Sequence, residues 1–271
     1  MQNSANTSCP GGRNETVVRI HDTLLQVAEL VAKTEMLRVV VSKSAGGDPV
    51  TTLDKEINDL IHRTLPRPDE GWLSEETKDD PRRLSCARVW VVDPIDGTRE
   101  FIQGIPEWCV SISMVEGHEA VAGGVLNPST GEMFLGSSEG GLEVIQLAAT
   151  SMMNVAMDEH CVLVSRREHK QGKWDRFEDS ALKIHPVGSI AYRLARVAAG
   201  YAAATCTFDP RSEWDVAGGV ALVQAAGGTV QTVDGMAIQF NREVPKLPSF
   251  FAFASSCSPS VSAMLGATRA V

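Results

Sequence analysis

Positive charge, paired cysteines and long apolar runs are all scarce in this 271-residue chain. Lys and Arg number 25 against 34 Asp and Glu, a formal net charge of −9. With no basic stripe to displace phosphate counterions, a general nucleic-acid binder is excluded. A phosphorylated small molecule stays admissible, because a bound metal inverts the local field. The six cysteines (Cys9, Cys86, Cys109, Cys161, Cys206, Cys257) include no C-x-x-C pair and read as reduced thiols of a cytoplasmic protein, not as a disulfide framework. No apolar stretch is long enough to span a membrane, and the N-terminus lacks a signal-peptide h-region.

What is present is an ordinary globular composition, 43% hydrophobic and 22% charged. The expected organisation is a flexible tail over 1–14, an α+β subdomain over 15–140 and an α/β subdomain over 141–271. Ile20, Leu24, Val27, Leu30, Val31 and Leu37 recur at helical spacing and predict a helix from Thr16 to about Val40. A second is expected from Thr52 to about Leu65, after a small-residue loop over Lys43–Pro49 that suggests mobility near a site mouth. Val110, Ile112 and Met114 alternate with Ser111 and Ser113, the start of an antiparallel meander through Ala120–Leu126 and Glu132–Gly136. Strands and helices then alternate: strand Cys161–Val164, a polar helix around Lys173–Asp179, strand Leu182–His185, helix Ser189–Ala199, strand Ala202–Thr207, helix Asp215–Ala226 and strand Thr229–Val233.

The chemistry-bearing run is Asp93-Pro94-Ile95-Asp96-Gly97-Thr98, at the end of the apolar segment Val89–Val92. Two carboxylates, a proline that fixes the turn and a glycine that lets N–H groups approach an anion suit a Mg²⁺-dependent phosphate enzyme. Alone, the run also reads as a solvated Asp-Gly turn. Two further segments accompany it: Trp72-Leu73-Ser74-Glu75-Glu76-Thr77 upstream, and Glu213-Trp214-Asp215-Val216-Ala217-Gly218-Gly219 heading a small-residue helix downstream. Asp215 by itself reads as a helix N-cap, and Glu75 and Glu76 as surface charge.

Taken together, the three segments resemble the lithium-sensitive, Mg²⁺-dependent phosphatase superfamily of inositol monophosphatase. Its signatures D-P-(I/L)-D-G-T and W-D-x-(A/S)-(A/G)-(A/G) are both met, and the likeness runs from about Asp48 to Gly228. The resemblance implies a layered α-β-α-β-α sandwich, a homodimer and two or three Mg²⁺ ions. Glu75, Asp93 and the Ile95 carbonyl would hold one ion. Asp93, Asp96 and Asp215 would hold the second, with a weaker third near Glu75. It further implies that Thr98 and Asp54 help Glu75 orient and deprotonate the attacking water. Asp54 has a competing structural reading, since Thr51-x-x-Asp54 forms a capping box. Gly97 and Thr98 N–H groups are expected to hold phosphate at the start of a short helical turn. Asp96, Asp215 and Ser165 join them as candidate substrate contacts. Lys43, Arg166, Arg167 and Arg211 are candidate anion contacts, each also readable as solvated surface charge. Glu76 is read as peripheral and Trp214 as packing.

The resemblance implies a small phosphorylated metabolite as substrate, and here its details diverge. The Glu that inositol monophosphatases carry seven residues before the last metal Asp is Phe208 here, with Asp209 beside it. Thr98-Arg99-Glu100-Phe101 and Pro210-Arg211-Ser212-Glu213 look more like the 3′(2′),5′-bisphosphate nucleotidase branch. 3′-Phosphoadenosine 5′-phosphate is therefore placed ahead of inositol monophosphate, with fructose-1,6-bisphosphate and histidinol phosphate behind. Phe208 reads either as a purine wall or as a core residue. A catalytically idle phosphate-binding member is the alternative of a different class.

Overall fold

The computed structural model describes residues 14–34, 41–43, 49–147 and 159–266. The expected N-terminal tail lies outside these apart from Asn14, and so do residues 44–48 of the expected mobile loop.

Helix α1 (Glu15–Lys33) is capped by the Asn14 carboxamide oxygen, which accepts from Val17 N at 2.9 Å. It ends at Lys33, short of the expected Val40, because Thr34 is extended (φ −78, ψ 123); Leu37 lies outside the described residues. The short antiparallel strands β1 (Val41–Lys43) and β2 (Pro49–Thr51) lead into α2 (Thr52–Thr64). The apolar faces of α1 and α2 lie on one side of a six-stranded sheet.

That sheet runs in chain order: β3 (Gly71–Ser74), β4 (Arg88–Asp96), β5 (Cys109–Glu116), β6 (Glu119–Asn127), β7 (Glu132–Ser137) and β8 (Gly141–Gln146). Only β3 and β4 are parallel; the rest form the expected meander. The short helix α3 (Thr98–Ile102) follows β4. Because β8 pairs with β7, a division at residue 140 would cut a hairpin, and the first sheet extends to Gln146.

The second sheet has the order β10-β9-β11-β15-β13, from β9 (Cys161–Ser165), β10 (Lys183–Val187), β11 (Ala204–Thr207), β13 (Thr229–Thr232) and β15 (Phe250–Phe253). Between the sheets lie α5 (Ile190–Ala198) and α6 (Glu213–Ala225), whose apolar residues share one core with both. Arg196 on α5 and Glu132 on β7 form a buried ion pair at 3.1 Å across that core. On the far side, α4 (Arg166–Lys170), α7 (Pro259–Gly266) and the Trp174–Phe177 turn complete five layers, α-β-α-β-α, as expected. A two-strand ribbon, β12 (Arg211–Ser212) with β14 (Lys246–Leu247), leads into α6.

The polar helix expected around Lys173–Asp179 is instead α4, seven residues earlier, plus a single 3₁₀ turn at Asp175–Phe177. Ser165 starts α4 by accepting from Glu168 N, and Gly172 at φ +73 prevents one continuous helix.

Candidate active site

Two acids three residues apart on a regular strand point to opposite faces, because side chains alternate with period two. Strand β4 avoids that outcome. Asp93 pairs with Ser111 and Asp96 with Cys109, so three steps on β4 match two on β5. The extra residue is a β-bulge at Pro94-Ile95, where proline has no ladder N–H to lose. Both aspartates therefore share the face toward α5 and α6. Gly218 on α6 brings that helix close: a Cβ there would lie 2.5 Å from Ser111 Oγ. Asp215, one turn earlier on α6, is thus carried to the bulge.

These elements enclose a cleft of about 240 Å³, lined by Glu75, Asp93, Ile95, Asp96, Gly97, Thr98, Ser165 and Asp215 among others. Every proposed metal and substrate contact lines it. Asp54 sits just behind, 2% exposed, with its carboxylate accepting from Thr51 N at 2.7 Å and from the Thr51 hydroxyl, and with the Thr98 hydroxyl beside it. The capping box and contact with Thr98 coexist. Thr98 Oγ also donates to the Ile95 carbonyl at 2.9 Å. Gly97, at φ +94, forms the left-handed corner that starts α3; only glycine adopts it cheaply.

Each aspartate is aimed by one backbone N–H. Asp93 Oδ1 accepts from Ile95 N at 3.0 Å, Asp96 Oδ2 from Ala191 N at 2.6 Å and Asp215 Oδ2 from Ser212 N at 3.1 Å. No hydrogen bond to the opposite oxygen of any of the three is found among the described residues.

The acids repel one another. Glu75 is exposed overall, yet desolvation of its carboxyl in the cleft, then Asp215, Glu76, Asp96 and Asp54, push it up to about 8. Asp215 rises to about 7, through desolvation and then Asp96, against the pull of Arg211. Asp93, 1% exposed, is driven well above the carboxylate range by burial, Glu75, Asp96 and Asp215. Asp96 is also raised by desolvation, opposed by Ser189, Ala191, Arg211 and Arg193.

No three acid, His or Cys side chains among the described residues are gathered tightly enough to close around an ion as they stand. The donors are hard carboxylate and carbonyl oxygens, with no histidine in the lining. Cys109 is wholly buried, its thiol pushed well up by desolvation and Asp96. This set suits Mg²⁺ rather than a soft metal.

Part of the lining forms a basic wall. Arg166, Arg167 and Arg211 all line the cleft, as does Arg193, which sequence reading missed. Arg166 Nε donates to Glu107 Oε2 at 2.5 Å, and its NH2 group to Oε1. Arg211 Nε donates to Thr207 Oγ1 at 3.1 Å and its NH2 group approaches Glu168 Oε1 at 3.5 Å. Arg193 is 2% exposed and donates to Thr205 Oγ1 and the Cys206 carbonyl. Burial and then Arg211 lower it to about 10. The side chain of Lys43 lies outside what the structure describes.

Phe208 does not line the cleft. Its ring packs against Trp174, centroids 5.0 Å apart, in the outer core of the second sheet. The core alternative for Phe208 is the one observed. Trp214 packs against the central core, and Glu76 lies outside the lining.

The model of the inositol monophosphatase family matches residues 14–254. An inositol monophosphatase from Mesembryanthemum crystallinum is 29% identical over 77% of this chain and 82% of its own length. A 3′-phosphoadenosine 5′-phosphate phosphatase from Mycobacterium bovis is likewise 29% identical, over 76% and 78%. Among solved structures, an IMPase/NADP phosphatase complexed with Mg²⁺ and phosphate superposes with a TM-score of 0.73 at 19% identity, covering 93% of this chain and 97% of that one.

Proposed function

The chain belongs to the inositol monophosphatase family, and from that premise we propose that it is a Mg²⁺-dependent phosphomonoesterase acting on a small phosphorylated metabolite. The observation that carries this reading is the convergence of Glu75, Asp93, Asp96 and Asp215, from three distant segments, on one cleft beside Gly97-Thr98. Glu75, Asp93 and the Ile95 carbonyl would hold one ion; Asp93, Asp96 and Asp215 a second; Glu75 would border a third. When bound, Mg²⁺ supplies Lewis-acid charge and a water acidic enough to serve as nucleophile near neutral pH.

The protein's own groups do the rest. Thr98 Oγ, held by its bond to the Ile95 carbonyl with Asp54 beside it, orients the attacking water, and the Glu75 carboxylate receives its proton. Gly97 and Thr98 N–H groups take the phosphoryl oxygens at the start of α3. Asp96 and Asp215 face the leaving-group side, with Ser165 offering a hydroxyl to the substrate. The arrangement needs no covalent side-chain intermediate.

Within the family, the basic wall favours a substrate with a second phosphate. Position 208 offers no carboxylate to sugar hydroxyls, and Asp209 is paired with Lys173 at 2.6 Å. A 3′(2′),5′-bisphosphonucleotide is the substrate we place first, as in the M. bovis relative's name. Inositol 1-phosphate stands second, as in the name of the plant relative. The working form is taken as a homodimer.

The deciding experiment measures kcat/KM with Mg²⁺ on 3′-phosphoadenosine 5′-phosphate, inositol 1-phosphate and fructose-1,6-bisphosphate side by side. The bisphosphonucleotide is expected to lead. A lead for inositol phosphate overturns the substrate assignment; silence on all three overturns the phosphatase reading.

A further inference from the structure

Ser189 is one of two described non-glycine residues with positive φ, at +45, and it stands at the head of α5. Backbone strain of this kind persists where the surroundings over-determine it, and it clusters at functional sites. Here the surroundings are explicit. Ser189 Oγ accepts from Tyr192 N at 3.0 Å and donates to Asp96 Oδ2 at 2.6 Å, with Cys109 Sγ 3.2 Å away. Ala191 N donates to the same Asp96 oxygen. One oxygen of Asp96 is thus tied twice to the head of α5, which leaves Oδ1 to serve as ligand.

The turn is held from behind as well. Gly188 N donates to Glu107 Oε2 at 2.7 Å, and Glu107 is 3% exposed. A Cβ on Gly188 would lie 2.4 Å from Glu100 Cγ and 2.9 Å from the Glu107 carbonyl, so the turn has no freedom to drift. The same Glu107 oxygen also accepts from Arg166 Nε, and the other one from its NH2 group, and Arg166 lines the cleft. An uninterrupted polar chain therefore runs Arg166–Glu107–Gly188–Ser189–Asp96, joining the basic wall to the acidic one. An N-cap alone accounts for the bond from Tyr192 but not for a strained hydroxyl that donates to Asp96.

Building on the Mg²⁺ reading above, we propose that Ser189 and Glu107 are positioning residues that set the direction in which Asp96 presents its free oxygen to the metal. Ser189 acts directly and Glu107 by holding the Gly188 turn. Partners that orient a ligand from behind commonly govern metal affinity by about 10–100-fold.

The test titrates MnCl₂ into EDTA-stripped, full-length protein by calorimetry, without substrate, for wild type, S189A, S189G and E107Q, with a thermal melt of each. S189A and S189G should both bind Mn²⁺ about 10–100-fold more weakly. S189G, relieved of backbone strain, should melt no lower than S189A while binding just as weakly, which separates hydroxyl loss from instability. E107Q, which keeps an acceptor for Gly188 N, should weaken binding by a smaller factor. Wild-type Mn²⁺ affinity in both Ser189 variants overturns the inference, as does affinity that tracks melting temperature across the set. A wild type that takes up no Mn²⁺ overturns the metal reading itself, and this inference with it.

Discussion

The two walls of the cleft are built on different principles. The acidic wall is aimed mostly by the main chain: Ile95, Ala191 and Ser212 N–H groups each hold one oxygen of an aspartate, and the Ser189 hydroxyl adds the one side-chain bond, to Asp96. The basic wall is aimed by buried acids: Glu107 holds Arg166, and Glu168 approaches Arg211 while accepting from the Thr207 hydroxyl and from Phe208 and Asp209 N–H groups. Main-chain donors are fixed by the fold and cannot be lost through one substitution. A guanidinium anchored by a single carboxylate can be released by one. The acidic half of the site is therefore set largely by the backbone of the fold, whereas the basic half is open to change.

The largest effect that separates the walls is expected from Asp96→Asn, which keeps the shape but removes a charge from the proposed metal site. Turnover should fall at least about a thousandfold on every substrate, with the far-ultraviolet circular dichroism of the folded protein retained. Near-normal activity would break the assignment of the acidic wall. Thr98→Ala should lower kcat about a hundredfold and leave KM within a few-fold. An effect confined to KM would make Thr98 a binding group only.

On the basic wall the expectation is selectivity. Arg211→Gln should cost about tenfold to a hundredfold in kcat/KM for a bisphosphonucleotide, the worth of one charged hydrogen bond, and much less for p-nitrophenyl phosphate. Equal losses on both would show that Arg211 serves the reacting phosphoryl group instead.

The smallest effect concerns pH. Glu75 and Asp215 sit near 8 and 7 in the metal-free fold, against 4.5 and 3.8 as unperturbed groups. Between those limits the folded chain holds protons that the unfolded chain releases, so stability falls as pH rises from about 5 to about 8. The EDTA-treated protein should melt a few degrees lower at pH 8 than at pH 6, and saturating Mg²⁺ should erase the gap. A metal-free melting temperature that rises over this range would contradict the crowding of acids.

The same division explains what sequence reading reached. Asp93, Ile95, Asp96, Gly97 and Thr98 form one contiguous run, and Asp215 lies in a second short signature, so the acidic wall is legible. Their sharing of one face was not, because strict alternation places Asp93 and Asp96 on opposite faces and only the bulge reverses this. The meander and the later strand–helix alternation were legible in the residue pattern, whereas the five-layer stacking came only from the family resemblance. Arg193 stayed hidden because the two arginines of the otherwise apolar helix Ile190–Ala198, Arg193 and Arg196, look like its solvent face, yet both are buried between the sheets. Glu107, in the loop Ile105-Pro106-Glu107-Trp108, carries no local signal; its role depends on Arg166 and Gly188, 59 and 81 residues away. Helix α4 was missed because Arg166–Lys170 offers no apolar periodicity, only the cap at Ser165.

The most direct test of the whole account is the anomalous diffraction of crystals grown with Mn²⁺ and phosphate. The account predicts at least two ion peaks about 3.5–4 Å apart in the cleft, bridged by Asp93 and touching Glu75, Asp96, Asp215 and the phosphate. Ions that bind elsewhere, or a cleft that takes phosphate on the arginines alone with no metal between the acids, would contradict it.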